Sequence, residues 1–186
     1  MTRLDLQPHP QRASSLHSLS SSMPSPSERL AGQLQGLASF THVLFLKTHL
    51  VSYQHGREIS AEVRSLCRRS TRDLNFAADE FARHARQLRP NALNRTTFGC
   101  QLARTSRQRT PADWLSHLSS EHHILVDMIQ YALHEATQQQ CDDVTALVRD
   151  RASIHHRTAR EFARCTERLD QVRLTSPSPI GIESVR

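Results

Sequence analysis

The sequence is poor in glycine and in aromatic residues. Of the 186 residues only 5 are glycine, while 5% are aromatic and 37% are hydrophobic. So few turn-forming residues favour long, uninterrupted helices. The hydrophobic content is enough for a core of aliphatic stripes but is lean for a β-sandwich or a β-barrel. The length is that of one domain with terminal extensions.

Lysine is almost absent. Lys47 is the only lysine, so the net charge of +6 is carried almost wholly by arginine. The guanidinium fork can bind two oxygens of a phosphate at once. An excess of positive charge bears on the partners of a protein and not on its fold.

Several motifs are missing as well. The cysteines form no Cys-x-x-Cys pair, which argues against a zinc knuckle or a redox motif and favours a reducing compartment, the cytoplasm. No nucleophile motif, glycine-rich phosphate loop or His-Glu-x-x-His occurs, so a hydrolase or a nucleotide enzyme has no support. No segment is apolar for long enough to cross a membrane, and the amino terminus lacks the apolar core of a signal peptide. The four cysteines are Cys67, Cys100, Cys141 and Cys165.

Four helical patterns lie between two Ser/Pro-rich ends. Residues 1–27 predict a disordered arm, with a transit peptide as the alternative, and residues 172–186 predict a flexible tail. Between them, hydrophobic spacing predicts an all-α, four-helix bundle over 28–171, with a short helix near Phe98–Arg104 in the long middle connector. The first predicted helix begins at a Ser25 or Ser27 cap and ends near Gly56, and the second runs from 59 to 88. The third begins at a Thr110 cap and fades at QQQCDD, and the fourth runs from 142 to 169.

The stretch FTHVLFL, residues 40–46, is apolar on nearly every face. A helix of this kind must be buried on more than one side. In a small domain this pattern predicts a subunit interface.

Histidine is abundant, with 12 residues, but its spacing does not predict a metal site within one bundle. Di-iron bundles use Glu-x-x-His pairs that face inward, and none occurs in the predicted helices. His49 and His55 are six residues apart, about 240° around a helix, so they cannot chelate one ion. Hydrogen-bonded or surface histidines are the simpler interpretation.

An arginine-rich run without acidic residues spans residues 81–112. Its connector portion predicts a phosphate-binding surface, although the lack of interleaved aromatic residues argues against base stacking. The alternative is that these arginines pair with acids of neighbouring helices or subunits, or are solvated. The proposed nucleic-acid contacts are Arg95, Arg104, Arg107 and Arg109.

Four segments resemble one known family. LFLKTH (44–49) followed by Tyr53, and AADEFARHARQL (77–88), resemble the first two helices of Dps, the DNA-binding protein from starved cells, a mini-ferritin. LSSEHHILV (118–126) and DDVTALVRDRASIHHRTAREF (142–162) resemble its last two helices. The resemblance covers roughly residues 28–170. It implies a ferritin-like bundle, a hollow twelve-subunit shell in the cytoplasm or on the nucleoid, iron storage, DNA binding, and iron as the cofactor.

The resemblance also implies an iron-oxidation site that spans a two-fold interface between subunits and that is degenerate in this chain. The two histidine positions of the family fall on Ser52 and Arg64, and its acid pair falls on Asp79 and Arg83. Only Asp79 is retained as a ligand. Asp79 and Arg83 are spaced for a salt bridge, and Arg64 is placed to reach the same carboxylate across the interface. We therefore expect an ion pair in place of the metal.

The leading hypothesis is a Dps-like shell protein that oxidises little or no iron of its own. Two other hypotheses remain. The first is an active ferroxidase with relocated ligands, such as His49, His122 or His155. The second is a helical module that binds a protein partner, or a structural subunit that co-assembles with an active Dps paralogue.

Overall fold

The computed structural model describes residues 23–55, 57–89 and 110–175, and the described segments form four long helices. They are α1 (Pro26–Gln54), α2 (Ala61–Leu88), α3 (Pro111–Gln138) and α4 (Asp142–Thr175). The four-helix prediction is confirmed, and the described residues contain no strand. The predicted short helix near Phe98–Arg104 lies outside the described residues.

Two of the helices begin at the side-chain caps that the sequence predicts, and α2 begins at a Ser60 cap. The Ser25 hydroxyl accepts a hydrogen bond from the Glu28 amide, and the Glu28 carboxylate accepts one in return from the Ser25 amide. Thr110 and Asp113 form the same reciprocal pair at the start of α3. Such caps satisfy amides that have no partner inside the helix.

One helix end differs from expectation, and another is closed without the usual glycine. Helix α4 continues past 169 to Thr175, because no proline or glycine interrupts it before Pro177. The turn after α3 has no glycine, and Gln140 adopts a positive φ of 55° there. The Cys141 amide then donates to the Ala136 carbonyl at 3.0 Å, which closes the end of the helix.

Ion pairs between helices establish the direction of each one. Arg89 at the end of α2 lies 3.6 Å from Glu28 at the start of α1, so these helices are antiparallel. Arg29 and Glu135 pair α1 antiparallel with α3 at 3.0 Å.

Helix α4 completes the arrangement. Arg168 near its end pairs with Glu62 near the start of α2 at 2.7 Å, so α2 and α4 are antiparallel. It follows that α2 and α3 run in the same direction. The end of α2 and the start of α3 therefore lie at opposite ends of the bundle.

The core consists of apolar stripes, one on each helix. In α1 the buried positions recur every three or four residues, as the apolar spacing predicts. Phe81, Leu118, Leu125 and Phe162 are fully enclosed on the other three helices. The buried residues of the α1 stripe are Leu30, Leu34, Leu37, Thr41, Leu44, Thr48 and Val51.

The segment 40–46 is only partly covered by its own chain. Val43 and Leu44 are buried, whereas Phe40, Phe45 and Leu46 are half-buried. Across the described segments, every helix falls short of the combined length and apolarity that a membrane crossing needs.

Candidate functional site

A groove between α1 and α2 contains two of the four positions that the resemblance assigns to metal ligands. Its volume is about 650 Å³. Ser52 and Arg64 lie twelve residues apart in the sequence, and the antiparallel pairing of the two helices brings them to the same groove. The lining residues are His49, Ser52 and Tyr53 from α1 with Arg64, Arg68, Thr71 and Arg72 from α2.

Ser52 is half-buried beside the Cys67 thiol. Burial raises the pKa of Cys67 to about 11, and the Ser52 hydroxyl opposes this shift only in part. A thiol with a raised pKa stays protonated at neutral pH, and it is the thiolate that binds metals or attacks substrates. Cys67 is therefore an apolar core residue, as its helical position predicts.

Three arginines form a row on the groove side of α2. Arg64, Arg68 and Arg72 are spaced four apart, so they lie on one face of the helix. Arg64 is half-buried and donates from Nη1 to the Ile59 carbonyl at 3.2 Å. Arg68 and Arg72 are exposed and make no ion pair with any residue that the structure describes. The groove has no acidic lining residue, and the arginines that line it are cationic.

Asp79 and Arg83 lie elsewhere on α2. Asp79 is fifteen residues from Arg64, about 22 Å along the helix axis at 1.5 Å per residue. Within one chain these positions cannot share an ion. A site built from all four would require two chains, as the resemblance implies.

The expected ion pair between Arg83 and Asp79 is not formed. Arg83 instead lies 3.7 Å from Glu80, whose side chain is 16% exposed. Glu80 also accepts a hydrogen bond from Nε of the buried Arg151 at 2.9 Å. A partly buried carboxylate attracts a cation more strongly than the exposed Asp79 does, because water screens it less.

These four positions do not fit ferrous iron. Fe(II) prefers imidazole and carboxylate donors. A guanidinium has no lone pair to give and stays charged. Arg64 and Arg83 therefore repel a cation where the resemblance calls for ligands, and Asp79 alone supplies a carboxylate.

A second cluster lies inside the bundle, where His122 of α3 meets His155 of α4. Each residue is 1% exposed, and the two ring centroids are 5.4 Å apart. The Phe162 ring stacks on His122, and Nε2 of His122 lies 3.3 Å from the Ser70 hydroxyl. Within the described segments, Nδ1 of His122 and both ring nitrogens of His155 lack a hydrogen-bond partner.

Burial keeps both imidazoles neutral. It lowers the pKa of His155 to about 4, and the positive charge of Arg151 acts in the same direction. Burial likewise lowers the pKa of His122 well below its usual value, with His155 and His123 adding to the shift. Neutral imidazole can bind a metal. However, no further histidine, cysteine or carboxylate among the described residues completes a metal site with this pair. His49, the remaining candidate for a relocated ligand, lies in the α1–α2 groove.

Lys47 is buried in the bundle and paired with Glu121. Its ammonium group lies 2.9 Å from the Glu121 carboxylate, and the two side chains are 7% and 12% exposed. His117 Nε2 approaches the same oxygen at 3.4 Å. Sequence reasoning missed this pair, although a single lysine within an apolar helix was a signal that a partner acid must be close.

The arginine-rich run is only partly within the described residues. Arg83 and Arg89 pair with Glu80 and Glu28, as the alternative interpretation of this run predicts. Arg86 is exposed on α2. The four proposed nucleic-acid contacts, Arg95, Arg104, Arg107 and Arg109, lie outside the described residues.

The fold and the groove define a four-helix bundle with a basic groove between its first two helices. Comparisons with protein-family models, with curated proteins and with solved structures find no match to this chain.

Proposed function

We propose that this chain is a Dps-like protein with a ferritin-like fold, which forms a shell, binds and shields DNA and takes part in iron storage under stress. In this proposal the shell oxidises little or no iron of its own. Its main support is that Ser52 and Arg64 line the same groove between α1 and α2. These are the two positions at which the resemblance expects histidine ligands of one site. The single long connection between parallel helices α2 and α3 is also the topology of ferritin-like bundles.

The donor chemistry supports the loss of iron oxidation. The positions that would hold Fe(II) carry a hydroxyl, two guanidiniums and one exposed carboxylate. Two fixed cations oppose the entry of a divalent ion. Iron storage, if retained, relies on iron that is oxidised elsewhere or by an active Dps paralogue in the same shell.

The partly covered face of α1 supports assembly. Phe40, Phe45, Leu46 and Leu50 are half-buried in the single chain, and Tyr53 is 83% exposed. Association would remove this apolar surface from water, at roughly 25 cal/mol per Å². A homo-oligomer, expected to be a dodecamer, is therefore part of the proposal. DNA would bind through the arginines of the connector, in the cytoplasm or on the nucleoid.

The decisive experiment combines native mass measurement with aerobic Fe(II) oxidation by the purified protein. We expect a mass of twelve 21.2 kDa chains and an oxidation rate at the buffer background. A monomer at all concentrations would contradict the shell. A rate well above background would contradict the degenerate site.

A matched variant tests whether Ser52, Arg64 and Arg83 account for the missing activity. The combined substitution Ser52→His, Arg64→His and Arg83→Glu restores the ligand types that the resemblance requires. We expect it to oxidise Fe(II) faster than the natural chain does, provided that it assembles equally well. An unchanged rate in a fully assembled variant would show that these positions do not form the site.

The competing function is an active ferroxidase with relocated ligands, and the buried pair His122 and His155 is the observation that favours it. Two neutral imidazoles with unpartnered nitrogens could bind a metal ion. If the natural chain oxidises iron and the variant His155→Phe abolishes this activity while remaining folded, the relocated site replaces the degenerate one as the explanation.

A further inference from the structure

The arginine row in the α1–α2 groove differs from the other arginines of α2 and α4. On the neighbouring face of α2, Arg69 is paired with Glu161 of α4, and Arg168 of α4 is paired with Glu62. Arg68, one residue before Arg69, faces the groove and has no acidic partner in the described part of the chain. The fold therefore pairs Arg69 with an acid and leaves Arg68 and Arg72 without one among the described residues.

This arrangement carries an electrostatic cost. Arg68 and Arg72 form a like-charged pair four residues apart, and such a pair destabilises a helix by roughly 0.2–0.5 kcal/mol. No lining carboxylate relieves the repulsion. A bound anion would relieve it, so the groove favours a ligand of negative charge.

The dimensions of the groove indicate a small ligand. Its volume of about 650 Å³ lies within the range of ligand pockets, roughly 300–1,000 Å³. The row from Arg64 to Arg72 spans about 12 Å along the helix axis. Each guanidinium carries five N–H donors in a fixed fork that matches phosphate oxygens. Several phosphate groups joined in one small molecule can therefore engage neighbouring arginines together.

We propose that this groove binds a small anion with two or more phosphate groups, which Arg68 and Arg72 contact directly while Arg64 adds positive charge. His49 and Tyr53 line the α1 side of the same groove, and both are exposed. Because both helices belong to one chain, the lining residues of this site meet without a partner subunit.

The test is isothermal titration of the full-length protein with inorganic pyrophosphate at constant ionic strength. We expect saturable binding of one pyrophosphate per chain. Arg68→Gln and Arg72→Gln should each weaken it about tenfold or more, because a charge-assisted bidentate contact is lost. Arg86→Gln is the matched control, since Arg86 is exposed on the same helix but lies outside the groove.

A second measurement does not rely on the heat of binding. Pyrophosphate should raise the unfolding temperature of the natural chain and of the Arg86 variant, but not that of the double variant Arg68→Gln/Arg72→Gln. Both arginines are exposed, so circular dichroism should show that the double variant is folded.

Several results would overturn the proposal. These are the absence of saturable binding, an equal loss of affinity in the Arg86 variant, and equally tight binding of sulfate. An oligonucleotide that binds more tightly than pyrophosphate with the same dependence on Arg68 and Arg72 would assign the groove to a nucleic acid instead.

Discussion

The buried histidine pair predicts that the bundle loses stability in mild acid. His155 and His122 are neutral in the folded chain because burial lowers the pKa of each. In the unfolded chain they titrate near 6.5. A group with a lowered folded pKa contributes stability above its unfolded pKa, and that contribution is lost as the pH falls through the folded pKa. The window for His155 therefore runs from about 6.5 down to about 4.

The magnitude follows from the shift. One pKa unit corresponds to about 1.4 kcal/mol, so lowering the pKa of His155 from 6.5 to about 4 amounts to about 3 kcal/mol in all. About 2 kcal/mol of this is lost by pH 5, where most carboxylates are still ionised. For a chain of this size, that loss lowers the unfolding temperature by roughly 4–8 °C. His122 adds to the loss in the same direction.

The assay is thermal and urea unfolding followed by circular dichroism at pH 7.5 and pH 5, with the oligomeric state checked at both values. The variant His155→Phe removes the buried titratable ring and should lose clearly less stability on acidification than the natural chain. His134→Gln, at an exposed position of α3, is the control and should behave like the natural chain. Equal stability at the two pH values, or an equal loss in the His155 variant, would refute the reasoning.

Two further predictions concern the charged groups. Lys47→Met should lower the free energy of unfolding by about 3–5 kcal/mol, because it leaves the partly buried Glu121 carboxylate without its cation. Adding Glu121→Leu should restore much of this loss. A change under about 1 kcal/mol for Lys47→Met in urea unfolding would show that the pair contributes little to stability. Replacing Arg104, Arg107 and Arg109 together by glutamine should weaken DNA binding in gel-shift assays without loss of assembly. Affinity of the natural chain should fall as salt rises, since phosphate contacts release counterions, and an affinity independent of salt would contradict the arginine surface.

The helices were predictable because their signals are local. Serine and threonine caps, prolines in first turns and apolar residues at every third or fourth position act within one helix. The stripe from Leu30 to Thr48 follows this spacing, and its residues are buried. The longer α4 shows the limit of such signals, since apolar spacing fades before the backbone stops being helical.

The candidate site was predictable only in part. Ser52 and Arg64 were identified by resemblance, and their types alone argue against an iron site. Their meeting with Arg68 and Arg72 in one groove depends on the antiparallel pairing of α1 with α2. The partner of Arg83 was predicted wrongly, because sequence spacing allows both Asp79 and Glu80 and does not show which acid is partly buried.

The sequence by itself determined that the described segments are helical, about where their helices begin, and which residue types occupy the positions assigned to metal ligands. Tertiary structure alone decided which charges are neutralised and which are left in a groove. It joined Lys47 to Glu121 and His122 to His155, residues that lie far apart along the chain. The physical reason is that helical periodicity identifies a buried face, whereas the neighbour of that face depends on how the helices pack and on their register.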